Sequence, residues 1–408
     1  FLICYILLAV TFGFTLMVAE IAIGRKTGLS AIGAFQKLDK RFGFLGVLAA
    51  IVPIIILPYY SVIGGWVLKY FFAFITEGAA AVSGDTYFSD FTASTASPIL
   101  WFSLFIAVTA LVVLFGVEKG IEKVSKVMMP ILAVLTVGIA VYVLTMDGAM
   151  EGLKYYLLPN MSNFSVMTVL AAMGQLFYSM SLAMGIMITY GSYMPKSTNL
   201  EGSVRQIEIF DTGVALLAGA MIIPAVYVFS GTEGMSAGPS LMFVSLPKVF
   251  NAMGKAGVFV GILFFVTAIF ATLTSCISVL ESITANCMEI FHSGRKKTVL
   301  VLAVIYLAAS AVIALGYSVF YFEVQLPNGS AAQLLDIMDY VSNSVMMPFI
   351  ALLSTILIGW VMTPDYVIDE MQRNGETFRR KKLYRVMIRY VAPVMMLVLF
   401  LQSTGILA

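Results

Sequence analysis

Residues 165–193 read SVMTVLAAMGQLFYSMSLAMGIMITYGSY. The stretch is long enough to cross a bilayer, for which about 20 apolar residues suffice. Its middle is wrong for a plain span. Gln175, Tyr178, Ser179 and Ser181 crowd into seven residues, and Ala183-Met184-Gly185 follow. A helix in lipid must satisfy its backbone polar groups internally. Hydroxyls and small residues at mid-depth therefore predict a helix that breaks and offers oxygens and N–H groups to something polar. The competing reading is a helix interface of small residues packed closely on a neighbour.

Working outward, 60% of the 408 residues are hydrophobic and 11% are charged, with mean hydropathy +0.97. Soluble globular domains do not have this composition, so the chain reads as an all-α polytopic membrane protein. Cys4, Cys276 and Cys287 all lie in apolar runs and read as packing residues. The single histidine, His292, sits beside Arg295, Lys296 and Lys297 and reads as a solvated face residue. Metal-ligand spacings, phosphate loops and nucleophile motifs are absent from the sequence, which argues against an enzyme.

Ten apolar segments are predicted: 1–24, 42–76, 99–116, 124–146, 165–193, 207–231, 258–291, 298–320, 340–362 and 389–408. The loops after the odd-numbered segments hold 20 Lys and Arg, and the other loops hold only Lys154, Lys248 and Lys255. The positive-inside rule places the first set in the cytoplasm. The first segment then runs inward, and with the abrupt start at Phe1 this predicts one more span ahead of it. Outside loop 77–98 is small and polar. Loop 232–257 carries Gly234, Gly238 and Pro239, and its run Ser240–Met253 predicts a lid-like external helix.

Charges at bilayer depth are costly and mark function. Glu20 and Lys69 read as span-end residues that snorkel. Asp211 lies deeper and needs a cation, a hydrogen-bond cluster or a proton. Glu281 falls mid-segment, Glu289 near the same segment's end, and Asp336 and Asp339 one turn apart. Thr274 and Ser275, with the carbonyl of Ala271, offer hard oxygens of the kind sodium takes. The same hydroxyls would also suit back-bonding to the preceding turn. Gly120 and Pro130 predict either a segment able to unwind at its cytoplasmic end or a static kink.

Taken together, these motifs resemble the neurotransmitter:sodium symporter family, in its bacterial amino-acid branch, along essentially the whole chain. GQLFYSMSLAMGIMITYGSYM (174–194) resembles the broken sixth helix and ATLTSCISVLE (271–281) the eighth. FGVEKGIEKVSKVMMP (115–130) is similar to the loop into the fifth, LPYYSVIGGW (57–66) to the third, and LLDIMDY (334–340) to the start of the tenth. The resemblance implies the inverted-repeat leucine-transporter fold, with family helices 2 to 11 visible. One transporter domain would cover 1–408: 1–146 as the rest of the first repeat, 165–362 as the second, and 389–408 as an extra span. The first repeat would lack its first helix, and with it half of each sodium site.

The resemblance also implies roles. Ile56, Tyr60, Tyr178, Ser181, Met184, Ser275 and Val279 match substrate-pocket positions, with Tyr60 as carboxylate holder. Ser179 and Asp211 match the first sodium site; Ala271, Thr274 and Ser275 match the second. Tyr5, Gln175, Ser179 and Asp211 match the pocket that takes chloride in animal relatives. Tyr178 and Asp339 match the outer gate, Glu289 the inner gate, and Gly120 and Pro130 a hinge. Two departures stand out. Asp211 replaces a common Asn, which implies a fixed negative charge in place of chloride. Ala183 replaces a usual glycine, which predicts a shifted or shorter break, since alanine is costly at positive φ.

These roles imply a sodium-coupled importer of hydrophobic or aromatic L-amino acids. It would use about two sodium ions and no chloride, in a bacterial inner membrane, with the lipid bilayer and an amino acid as partners and no nucleic acid. The alternatives are a non-transporting amino-acid binder of the same fold and a transporter of another small amine or zwitterion.

Overall fold

The computed structural model describes residues 1–160, 164–232, 238–327 and 329–407. Among these, nine helices are long and apolar enough to cross a membrane. They are Leu2–Thr27, Lys40–Thr76, Ala96–Leu114, Val117–Leu144, Leu200–Ser230, Lys255–Phe291, Arg295–Leu315, Leu334–Val361 and Lys381–Ser403. A tenth span is in two pieces, Val166–Ser179 and Ile186–Tyr193. All ten predicted segments are therefore present, the fifth of them broken. The tenth begins at Lys381 rather than 389, because a basic helical turn extends the apolar core of that helix.

Close approach is bought with glycine at a few crossings. The second span, Lys40–Thr76, packs on the third, where a Cβ on Gly65 would lie 2.5 Å from the Phe102 nitrogen. Pro53 and Pro58 lie inside that second span, and Ser310 Oγ donates to the Pro58 carbonyl at 3.0 Å, meeting a backbone acceptor in the bilayer interior. The first span lies along the second half of the broken span. There a Cβ on Gly24 would sit 1.9 Å from the Ile188 carbonyl oxygen, and one on Gly191 would sit 2.4 Å from that of Ile21. Backbone cannot yield as a side chain does. Gly24→Ala should destabilise the protein by about 2–3 kcal/mol through overpacking, read as a lower melting temperature in detergent.

Several helices carry π-turns. One spans Ala9–Gly13 in the first span, and two others, Leu357–Val361 and Met387–Val391, face each other in the ninth and tenth. The fourth span opens with a π-turn, Val117–Glu122, that contains Gly120, and runs on unbroken through Pro130. Gly120 is tightly held, since a Cβ there would lie 2.1 Å from the Val112 oxygen.

The expected external helix forms over Leu241–Ala252. Phe243 seats it among Trp66, Tyr70 and Phe88, and the Tyr70 hydroxyl donates to its carbonyl at 2.9 Å. Lys248 pairs with Asp85 at 2.6 Å on the surface and holds that carboxyl below its usual range. Gly234 of the same loop lies outside the described residues. The three cysteines are free and His292 is exposed, as composition and position suggested.

Candidate functional site

The broken span sets the site. Ser165 caps its first half, its hydroxyl accepting from the Thr168 N–H at 3.3 Å. The helix ends at Ser179, residues 180–185 are irregular, and a new helix starts at Ile186. Three residues of the joint have positive φ: Ser181 at 53°, Ala183 at 59° and Gly185 at 71°. The alanine has therefore not shifted the break away from itself; it occupies the left-handed region. That conformation costs a non-glycine residue about 1–2 kcal/mol, and the surrounding contacts sustain it. Ala183→Val should cost at least about 2 kcal/mol, because a β-branched residue is worse there. Ala183→Gly should stay near neutral, the relief offset by chain entropy and a lost methyl. Melting temperatures of the two variants check this.

Glu20 corrects the sequence reading. It does not snorkel at a span end. It is buried, with 7% of its surface exposed, and its Oε1 accepts the Ala183 N–H at 2.7 Å inside the joint. Its Oε2 has no partner among the described residues. The partner that explains Glu20 lies 163 positions away, so no local pattern announces it. Lys69 does lie near a span end, paired to Glu77 at 2.7 Å.

A cavity of about 800 Å³ opens against the joint. Ile56, Tyr60, Tyr178, Ser181, Met184, Ser275 and Val279 all line it. So do Gln175, Ser179 and Asp211, and Ala271 and Thr274. The Tyr60 and Tyr178 rings meet at 6.4 Å. At one edge, Ser179 Oγ donates to the Asp211 carboxylate, with Oδ1 at 2.9 Å and Oδ2 at 2.8 Å. The Tyr5 hydroxyl reaches both, at 3.3 Å from Ser179 Oγ and 3.4 Å from Asp211 Oδ2. Residues separated by up to 206 positions thus form one small polar cluster around a carboxylate. At another edge, Thr274 Oγ1 is back-bonded to the Phe270 carbonyl at 2.8 Å and the Ala271 carbonyl at 3.1 Å. A hydroxyl that donates in this way still presents lone pairs to a cation.

Tyr178, matched to the outer gate, lines the cavity, while the other residues matched to gates and hinge are not among its lining. Asp339 accepts from the Tyr59 hydroxyl at 3.0 Å and from the Asn343 amide. Asp336, one turn earlier, caps its own helix through the Gln333 N–H at 3.0 Å. Glu289 accepts the Ser30 N–H at 2.9 Å, at the start of the short helix Ala31–Leu38. Gly120 and Pro130 lie on the fourth span, whose Met129 and Leu132 reach the cavity wall.

Glu281 gains partners the sequence did not disclose. Arg295 meets it with two nitrogens, at 2.6 and 2.8 Å, and the Tyr193 hydroxyl adds a bond at 2.7 Å. Arg295 had counted only as a marker of the basic side. Its neighbours His292, Lys296 and Lys297 hide the fact that its side chain folds back onto the preceding span.

A family model described as the sodium:neurotransmitter symporter family matches residues 1–90 and 92–407. The uncharacterized sodium-dependent transporter YhdH of Bacillus subtilis is 34% identical over all of this chain and 90% of its own length. An uncharacterized sodium-dependent transporter of Methanocaldococcus jannaschii is 29% identical, with all of this chain and 84% of that protein covered. The crystal structure of MhsT in complex with L-phenylalanine superposes with a TM-score of 0.88 at 33% identity, over 99% of this chain and 91% of that one. With sequence and fold matched almost end to end, the chain belongs to the sodium:neurotransmitter symporter family, as a sodium-dependent symporter of the leucine-transporter fold and not an enzyme.

Proposed function

We propose that this symporter carries hydrophobic or aromatic L-amino acids into the cell across a bacterial inner membrane, on two sodium ions and without chloride. The observation that carries the reading is the pairing of two unlike walls in one cavity. Ile56, Met184 and Val279 give it an apolar side with no charge to match a charged side chain, while Asp211 and Ser179, joined by the Tyr5 hydroxyl, give it an acidic corner. A carboxylate is a hard oxygen donor suited to sodium and supplies the negative charge that chloride would otherwise bring. The phenylalanine in the MhsT structure agrees with an apolar pocket of this size.

In this reading Tyr60 holds the substrate carboxylate and Tyr178 covers it. Ser181 and Ser275 are polar contacts beside Met184, whose flexible thioether adapts to side chains of different shape. Ser179 and Asp211 hold the first sodium, with Gln175 and Tyr5 supporting the carboxylate; Ala271, Thr274 and Ser275 hold the second. Asp339 and Glu289 serve the outer and inner closures. Gly120 and Pro130 let the fourth span loosen to release an ion. Residues 1–146 and 165–362 act as the two repeats, with the last span outside them.

Uptake of labelled phenylalanine, leucine and glutamate by the natural protein in proteoliposomes tests this. Phenylalanine and leucine uptake should need a sodium gradient and persist when chloride is replaced by gluconate. Preferential glutamate uptake would overturn the substrate class, and collapse in gluconate would overturn the role of Asp211.

A further inference from the structure

We propose that the basic end of the last two spans is a binding site for the headgroup of an anionic phospholipid, centred on Arg389. Two π-turns face each other there, Leu357–Val361 and Met387–Val391. Such turns are uncommon and often sit where a side chain has a task. They are tied to each other by two bonds: Trp360 Nε1 donates to the Arg389 carbonyl at 3.0 Å, and Arg389 Nε donates to the Gly359 carbonyl at 3.0 Å. Gly359 lets the two helices close to this distance, since a Cβ on it would lie 2.8 Å from the Ile388 oxygen.

The result is a half-buried arginine fixed at its Nε. Among the described residues, its terminal guanidinium nitrogens have no hydrogen-bond or ion-pair partner. Lys382 and Arg385 stand seven and four positions earlier on the same span. Lys382 is exposed and also has no partner among the described residues. Arg385 is paired with Asp365 at 2.5 Å, so it contributes little free charge. Beside this cationic pair, Trp360 and Tyr390 are 59% and 55% exposed, with rings in edge-to-face contact at 5.7 Å. Both ring types favour the level where headgroups meet acyl chains. Below them Val394 and Leu397 are exposed and give an apolar track for a chain. Basic residues placed only to set orientation need no fixed geometry. A pinned guanidinium with unpartnered terminal nitrogens, an ammonium earlier on its helix and an aromatic frame match a phosphodiester with acyl chains below it.

Binding of a fluorescent phosphatidylglycerol to the full-length protein in neutral detergent tests the proposal, with equally labelled phosphatidylcholine and millimolar inorganic phosphate as comparisons. Phosphatidylglycerol should bind more tightly than phosphatidylcholine, and phosphate should not displace it. Arg389→Gln and Lys382→Gln should each weaken binding about fivefold, as expected per surface cation, while the distant pair Lys296→Gln/Lys297→Gln leaves it unchanged. Lys382→Gln breaks no cross-helix bond, so its melting temperature without lipid should be unaltered and its result stands even if Arg389→Gln folds poorly. Equal binding of the two lipids, displacement by phosphate, or the same loss in the Lys296/Lys297 variant would each overturn the site.

Discussion

Asp211→Asn should cut sodium-driven uptake in chloride-free medium by about a hundredfold or more, and adding chloride should restore a large part of it. The change keeps shape and removes charge. A carboxylate about 4 Å from a cation contributes roughly 4 kcal/mol at an effective dielectric near 20, which is nearly three orders of magnitude in binding. Water at the cavity mouth screens part of this. The Ser179 hydroxyl that now donates to both carboxylate oxygens, at 2.9 and 2.8 Å, and the Tyr5 hydroxyl at 3.4 Å would remain. They are the donors an anion needs, so chloride could take the vacated electrostatic role. Sodium affinity from uptake curves, measured in chloride and in gluconate, separates the cases. Undiminished chloride-free uptake in Asp211→Asn would remove this carboxylate from the ion mechanism.

Arg25→Ala should be the most destabilising single change, at about 3–5 kcal/mol, and Glu370→Ala should come close to it. The two side chains are 1% and 3% exposed and meet at 2.7 Å. Arg25 is fully occupied besides: it donates to the Thr198 carbonyl and to the Glu370 carbonyl, both at 2.6 Å. Truncating Glu370 strands the buried Arg25, and truncating Arg25 leaves the buried Glu370 with only Arg373, at 3.4 Å; that desolvation cost is what the experiment reads. Glu370→Gln keeps an acceptor and should lose less. Chemical unfolding in detergent ranks the three variants. A loss below about 1 kcal/mol for Arg25→Ala would mean that water enters the clasp on removal.

The spans were legible because the bilayer demands long apolar runs, and the break was legible because hydroxyls and small residues are conspicuous inside one. The cavity residues could be named from motifs, since the pocket is built from short stretches on five segments. The charges were less readable. Loop bases that looked like uniform solvated markers include Arg25, buried against Glu370 345 positions away, and Arg380, stacked on Phe14 and paired with Glu208. Glu20, placed by sequence at a span end, is buried at the joint instead. Charge pairing over such separations leaves no local pattern. The π-turns are equally silent, because one extra residue in a turn hardly alters apolar periodicity.

The π-turn in the first span has a mechanical consequence. That span runs beside both halves of the broken one, touching Val166–Ser179 near its start and Ile186–Tyr193 along its length. A straight rod bound to both pieces would act as a splint and hold the joint rigid. The splint has its own soft point: the turn at Ala9–Gly13 ends where a Cβ on Gly13 would strike Met180 Sδ at 2.6 Å. Two adjacent rods are therefore weakened at the same height. Bending there strains only an already irregular ladder in one and no ladder in the other, so the stiffness of the pair is lowest level with the cavity and recovers within a turn or two on either side.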